Sequence, residues 1–300
     1  MVGAHRATNV LTAATLAASS VLLWSVVTPG QQGRTGSVSV GNPNDGKLVG
    51  GVRLPDRGPG YASNPGTTNR DAKYGTDELV EAIRKIGADV ERLAPGATLV
   101  VNDLGLENGG PIPHHQSHQA GRDVDILFYL LDPAGHVVRP RAVHIDRAGQ
   151  GVFDGLTRDD PSDDTKVVLD VRRNWIVLRS LVESSDAALQ RVFVSEGVRA
   201  LLIEHARAER QPAWIIERAG EVMCEPEVPH DDHFHVRLFC TDADYRLGCR
   251  DSWPIYPWRR SEMAAVGLAD LETAIRRPLP PGRRHRRPHP RRSPGRLWCP

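Results

Sequence analysis

Several common chemistries are missing from this 300-residue chain. It has no HExxH helix, no GxxxxGK[ST] loop and no GxGxxG turn, which removes the usual zinc-protease helix, the P-loop nucleotide hydrolases and the dinucleotide-binding fold. No CxxC pair is present, so neither a zinc ribbon nor a thioredoxin-like centre is encoded. The acidic stretch Asp154–Asp164 lacks the alternating spacing of a calcium loop and reads as solvated loop. Ser195, in Val194-Ser195-Glu196-Gly197, lacks the first glycine of a nucleophile elbow and reads as a helix N-cap. There is no internal repeat, and only one apolar run approaches spanning length, so a polytopic membrane protein is ruled out.

Net charge is also nearly absent, because opposite excesses cancel. The 38 Lys+Arg and 37 Asp+Glu sum to +1. Residues 276–300 hold nine Arg and no acid and residues 1–30 hold only Arg6, leaving 28 bases against all 37 acids in the body, a net −9. With 40% hydrophobic and 25% charged residues the chain can build a core, which excludes wholesale disorder. The uncharged run Val10–Val27 follows His5 and Arg6 and ends before Thr28-Pro29-Gly30, so residues 1–30 are expected to be an export signal peptide or an N-terminal anchor. Composition then predicts a flexible linker over 31–50, a main domain over 51–250, a C-terminal extension over 251–275 and a disordered Arg/Pro-rich tail over 276–300. That tail is expected to favour an anionic cell-wall or membrane surface, with no nucleic acid as partner. Four cysteines suit an oxidising compartment and allow three pairings; the eight residues between Cys240 and Cys249 are a length that could close as a small disulfide loop.

Periodicity predicts a mixed set of elements. Thr76 offers an N-cap to a helix over Asp77–Leu93, with Leu79, Val80, Ile83, Ile86 and Val90 at helical spacing. Strands are expected at Thr98–Leu104, Asp123–Leu130, Arg191–Ser195 and His233–Phe239. Further helices are expected from Val171, at Gly197–Arg207 and near Glu262–Ile275, while Val52–Gly75 reads as ordered coil. Without regular βαβ alternation, the expected class is α+β: a mainly antiparallel central sheet carrying the metal site, flanked by helices.

Histidine is what the chain has in concentrated form. Of twelve, three fall at His114, His115 and His118 and three at His230, His233 and His235, with Asp125 seven residues after His118. A lone histidine is usually a surface or satisfied core residue, and His285 and His289 fit the bias of the tail. Two tight groups beside strands are a different matter. Period-two alternation puts Asp123 and Asp125 on one face of their strand and His233 and His235 on one face of theirs. If those strands are neighbours, one sheet face presents a carboxylate and two imidazoles, with His118 entering from a loop. Two neutral His and one Asp suit Zn²⁺ with a fourth position open to water, whose pKa such an ion lowers towards about 7.

Ser117-His118-Gln119-Ala120-Gly121-Arg122-Asp123-Val124-Asp125-Ile126, together with His230-Asp231-Asp232-His233-Phe234-His235-Val236-Arg237, resembles the penicillin-insensitive murein endopeptidase family. That family lies within the lysostaphin-like and D-alanyl-D-alanine-cleaving zinc peptidases, which share an H-x(6)-D and an H-x-H pattern. The resemblance runs from about Leu48 to Cys249 and implies a zinc metallopeptidase domain over 51–250, with one Zn²⁺ per chain held by His118, Asp125 and His235. It implies that His233 acts as general base or steadies the tetrahedral intermediate, with His115 and His230 as further catalytic histidines. His114 has no counterpart, Asp123 is expected to brace the site, and Glu227 in Glu227-Val228-Pro229-His230 is a minor candidate base by likeness to related D,D-dipeptidases. The resemblance matches Cys240 to a disulfide position with Cys249 as its expected partner, and leaves Cys224 and Cys299 as candidates for a second bridge.

The implied activity is a zinc-dependent, β-lactam-insensitive D,D-endopeptidase hydrolysing the D-alanyl-diaminopimelyl cross-links of peptidoglycan in the periplasm. The same ligands would serve a D,D-carboxypeptidase or another zinc amidohydrolase. A non-catalytic cell-wall-binding module is the remaining alternative, against which the extra histidines argue.

Overall fold

In this computed structural model the described residues are 36–154, 160–184, 188–252, 254–268 and 299. The expected export segment lies outside them, as do the expected tail apart from Cys299 and the predicted helix beyond residue 268.

The described chain begins with a hairpin, β1 (Val38–Asn42) and β2 (Asp45–Val49), in antiparallel register from Val38↔Val49 to Asn42↔Asp45. Ten of the fifteen described residues in the stretch expected to be a flexible linker are therefore paired strand. Its asparagine and glycine serve the turn: Asn42 Oδ1 accepts from Asn44 N at 2.9 Å, and Gly41 adopts φ +77°. Leu48 and Ser39 are buried, and Gly41 N donates to Gly248 O while Arg250 N donates to Gly41 O, tying the hairpin to the body.

Where coil was expected come β3 (Val52–Arg53), β4 (Arg57–Gly58), β5 (Tyr61–Ser63), α1 (Pro65–Arg70) and β6 (Tyr74–Gly75). Helix α2 (Asp77–Leu93) has the predicted bounds; Thr76 Oγ1 accepts from Leu79 N, and Leu79, Val80, Ile83, Ile86 and Val90 are buried. There follow β7 (Leu99–Val101), β8 (Asp123–Leu127), β9 (Leu130–Leu131), β10 (Val137–Val138), β11 (Gln150–Phe153) and β12 (Thr165–Leu169). Helix α3 (Val171–Val182) is capped by Asp170, and β13 (Leu189–Phe193) starts and ends two residues earlier than predicted. Ser195 caps α4 (Glu196–Ala208), accepting from Val198 N, as its sequence context predicts. Next come α5 (Ala213–Val222), β14 (Met223–Cys224), β15 (His233–Leu238), α6 (Asp242–Arg246) and α7 (Pro257–Ala265). Helix α7 starts earlier than the predicted 262, with Pro257 in its first turn, where a missing N–H costs nothing.

The α+β class is as expected, and a seven-stranded sheet in the order β14-β13-β15-β8-β7-β5-β4 carries the candidate site. Four of its pairings are antiparallel, whereas β13–β14 and β5–β7 run parallel. It is not a single central sheet, because a four-stranded sheet β10-β9-β12-β11 and the pairs β1–β2 and β3–β6 stand beside it among the described residues. Helix α2 packs on α3, and α3 packs on α4 and α5. Ile255, Tyr256, Met263 and Leu268 join the same core, so the described part of the expected C-terminal extension belongs to the body. Both disulfides form as paired above, Cys240–Cys249 and Cys224–Cys299. No helix among the described residues is long and apolar enough to cross a membrane.

Candidate metal centre

Strands β8 and β15 are adjacent and antiparallel, in the register Asp123↔Arg237, Asp125↔His235 and Leu127↔His233. The alternation that sends Val124, Ile126, Phe234 and Val236 into the core sends Asp123, Asp125, His233, His235 and Arg237 to the other face. His118 reaches this face from the preceding loop with its backbone at φ +68°, a conformation few non-glycine residues adopt. Its N–H donates to Asp123 Oδ2 at 3.0 Å and its Nδ1–H to Leu104 O at 2.6 Å, which turns Nε2 inward. Gly121 completes the turn at φ +71°, where a Cβ would stand 2.7 Å from Leu48 Cδ1.

Asp125 is the centre of the cluster. Around its Oδ1 lie His118 Nε2 at 3.4 Å, His233 Nε2 at 3.5 Å and His235 Nδ1 at 3.6 Å, while His115 Nδ1 lies 3.7 Å from Oδ2. Asp125 Oδ1 and His118 Nε2 are buried and accept or donate no hydrogen bond. Two unsatisfied polar atoms facing each other in the interior are costly unless something sits between them. Ligand atoms about 2.0–2.1 Å from a tetrahedral ion stand roughly 3.3–3.4 Å apart, close to the spacing seen here. The donor set therefore fits a small divalent cation. His115, His118 and Asp125 offer ligand atoms within 4.8 Å of one another. His235 competes with His115 for the third place. It is the more deeply buried of the two and faces the same Asp125 oxygen as His118.

The electrostatics suit that role. Burial disfavours the Asp125 anion, yet the surrounding His118 and His233 hold its carboxyl well below the usual carboxylate range. Burial pushes His235 down to about 4 against the opposing pull of Asp123, so its imidazole is neutral near pH 7 and keeps a lone pair. For His233 burial is outweighed by the nearby Asp125 carboxylate and by the hydrogen bond with Asp232, and the imidazole is pushed up to about 10. Burial and the neighbouring His233 lower His230.

The predicted residues converge with few exceptions. His230 joins through ring contacts, 4.9 Å from His233 and 5.5 Å from His235 between centroids. Phe193 packs edge-on against His235 at 4.9 Å. Asp123 is engaged by Arg237 Nε at 2.6 Å and by the His118 backbone, which matches the expected bracing role. His114 and Glu227 are exposed, and the buried acid of the latter's loop is Glu225, which accepts from Glu196 N at 2.9 Å. Sequence reasoning missed Asp103, whose Oδ2 takes both His115 Nε2 at 2.9 Å and Arg70 Nη2 at 2.6 Å. It missed Asp232 too, whose Oδ1 lies 2.5 Å from His233 Nδ1. A carboxylate immediately before the H-x-H pair was the one available signal.

A family model described as penicillin-insensitive murein endopeptidase matches residues 39–257. Proteins named penicillin-insensitive murein endopeptidase are similar over most of their length. The one from Klebsiella pneumoniae subsp. pneumoniae is 27% identical over 223 residues, covering 73% of this chain and 72% of the relative. That from Haemophilus influenzae is 28% identical over 229 residues, covering 76% and 71%. That from Escherichia coli O157:H7 is 28% identical over 253 residues, covering 81% and 80%. With the matched span enclosing both histidine groups and the sheet that joins them, the chain belongs to the penicillin-insensitive murein endopeptidase family and is a peptidase.

Proposed function

We propose that this protein is an exported, zinc-dependent D,D-endopeptidase that hydrolyses D-alanyl-diaminopimelyl cross-links of peptidoglycan. The observation that carries the reading is the buried, unsatisfied pair Asp125 Oδ1 and His118 Nε2, 3.4 Å apart, with ring nitrogens of His233 and His235 at 3.5 and 3.6 Å from the same Asp125 oxygen. In this reading His118, Asp125 and His235 hold the ion. A zinc ion bound there supplies Lewis acidity and brings the pKa of water towards about 7.

The chain's own residues do the rest. His233, directed by Asp232 and close to Asp125, takes the proton of the attacking water at Nε2 and delivers it to the leaving amine nitrogen. His230, with its lowered basicity, and His115, anchored on Asp103, flank the carbonyl and bear on the oxyanion. No serine ester forms, so β-lactams, which acylate such serines, leave the enzyme untouched. The names of the relatives point to murein as the substrate and the two disulfides to an oxidising compartment such as the periplasm.

The test is mass spectrometry of cross-linked muropeptide dimers incubated with the purified protein. Conversion of dimer to monomers that stops on chelation and in His235→Ala supports the reading. Cleavage that survives either change would sink it, and loss of only a terminal D-alanine would reassign the protein to the carboxypeptidases.

A further inference from the structure

All four imidazoles facing Asp125 have their far nitrogen directed at a fixed partner. His118 Nδ1 is held by Leu104 O at 2.6 Å, and His235 Nε2 faces Asp123 Oδ1 at 3.4 Å. His115 Nε2 is held by Asp103 at 2.9 Å, and His233 Nδ1 by Asp232 at 2.5 Å. Leu104, Asp123 and Asp103 are each 1% exposed and belong to the interior. Asp232 differs, with its carboxylate 25% exposed and adjacent in sequence to the ring it holds. Neighbouring side chains within a strand face opposite ways. Asp232 escapes that rule because β15 begins only at His233, leaving residue 232 in the irregular segment before it.

From this geometry we propose that Asp232 is a positioning residue that fixes the Nδ1–H tautomer of His233 and directs its Nε2 towards the reaction centre. The proposal rests on the reading of His233 as the proton carrier of the peptidase. A carboxylate on one imidazole nitrogen selects the tautomer and restrains ring rotation. An amide in its place can donate to Nδ1 and so favour the opposite tautomer, with the proton on the nitrogen that should accept one. The preceding residue provides a matched control. Asp231 Oδ1 lies 2.7 Å from Nδ1 of His144, an exposed histidine outside the cluster. Two successive carboxylates thus serve two different histidines.

The experiment compares zinc-loaded full-length protein with Asp232→Asn, Asp232→Glu and Asp231→Asn. Expected for Asp232→Asn is a kcat on muropeptide dimers reduced about 100-fold, with KM, zinc content and thermal midpoint close to wild type. Asp232→Glu should recover part of the loss, and Asp231→Asn should stay within about twofold of wild type. Nitrogen-15 NMR of the histidine rings should report an Nδ1–H tautomer for His233 in wild type and its loss in Asp232→Asn. Wild-type turnover in Asp232→Asn, an equal loss in Asp231→Asn, or an unchanged tautomer overturns the proposal. If wild-type protein fails to cleave dimers, the peptidase reading falls instead, and the NMR comparison still decides the role of Asp232.

Discussion

Two carboxylates two residues apart on β8 are buried alike and serve opposite ends. Against the cost of burial, Asp123 is held well below the usual carboxylate range by Arg237 and His235, and its oxygens are taken up by Arg237 Nε and the His118 amide. Asp125 faces imidazoles at more than 3.3 Å and leaves an oxygen unsatisfied. Asp123→Ala would leave Arg237 buried without its partner, and urea unfolding should show a loss of about 3–5 kcal/mol. Asp125→Asn should instead cost zinc far more than it costs stability, measured by metal content after dialysis. The raised imidazoles add a pH dependence. His118 and His233 both stand above their ordinary value, burial being outweighed by the nearby carboxylates, and His233, pushed up to about 10, holds its proton at pH 7 in the metal-free protein. Zinc addition at pH 7 should release protons and its apparent affinity should rise with pH, which calorimetry in buffers of different ionisation enthalpy will show. The sign for stability is opposite. The contribution from His233 is complete below its unfolded pKa of about 6.5 and is lost as pH rises through about 10. The central histidines and Asp125 were legible because their spacing is set by strand period and by one loop. Asp103 and Asp232 were not, since what distinguishes them from other acids is the ring each happens to meet.

At the scale of elements, helices with one apolar stripe and a capping residue were read nearly to the residue, as α2 and α4 show. Their signal is local, and tertiary contacts only reinforce it. The hairpin β1–β2 and the strands β9 to β12 were missed, because at two to five residues they are too short to carry a readable periodicity. Their order comes from backbone pairing between short segments, which composition does not encode. Helix α5 carries Ile215, Ala219 and Val222 at helical spacing behind Pro212 and was legible in principle. The hairpin also bears on the site, for Leu48 of β2 packs where a Cβ on Gly121 would go. Gly121→Ala combines strain at positive φ with that clash, and should cost roughly 1–3 kcal/mol in thermal unfolding. Because the same turn presents His118, zinc affinity should fall with it.

At the scale of the molecule, the near-neutral total conceals an acidic body and a basic stretch whose far end is Cys299 bonded to Cys224. Cys224 lies in β14, opposite Phe193 of β13, whose ring touches His235. The clip thus stands one strand away from the candidate metal centre. In the chain-entropy view, closing a loop with a sequence separation of 75 is worth up to about 4–5 kcal/mol. Cys299→Ser should lower stability by roughly 2–4 kcal/mol while leaving the Cys240–Cys249 bridge intact.

That second bridge changes what a cut means. Because Cys299 is bonded to Cys224, the backbone between these two cysteines is covalently closed by the disulfide. A single proteolytic nick within it would split the polypeptide in two without releasing a fragment. On a denaturing gel the nicked protein would run as one species until a reductant was added, and only then as two.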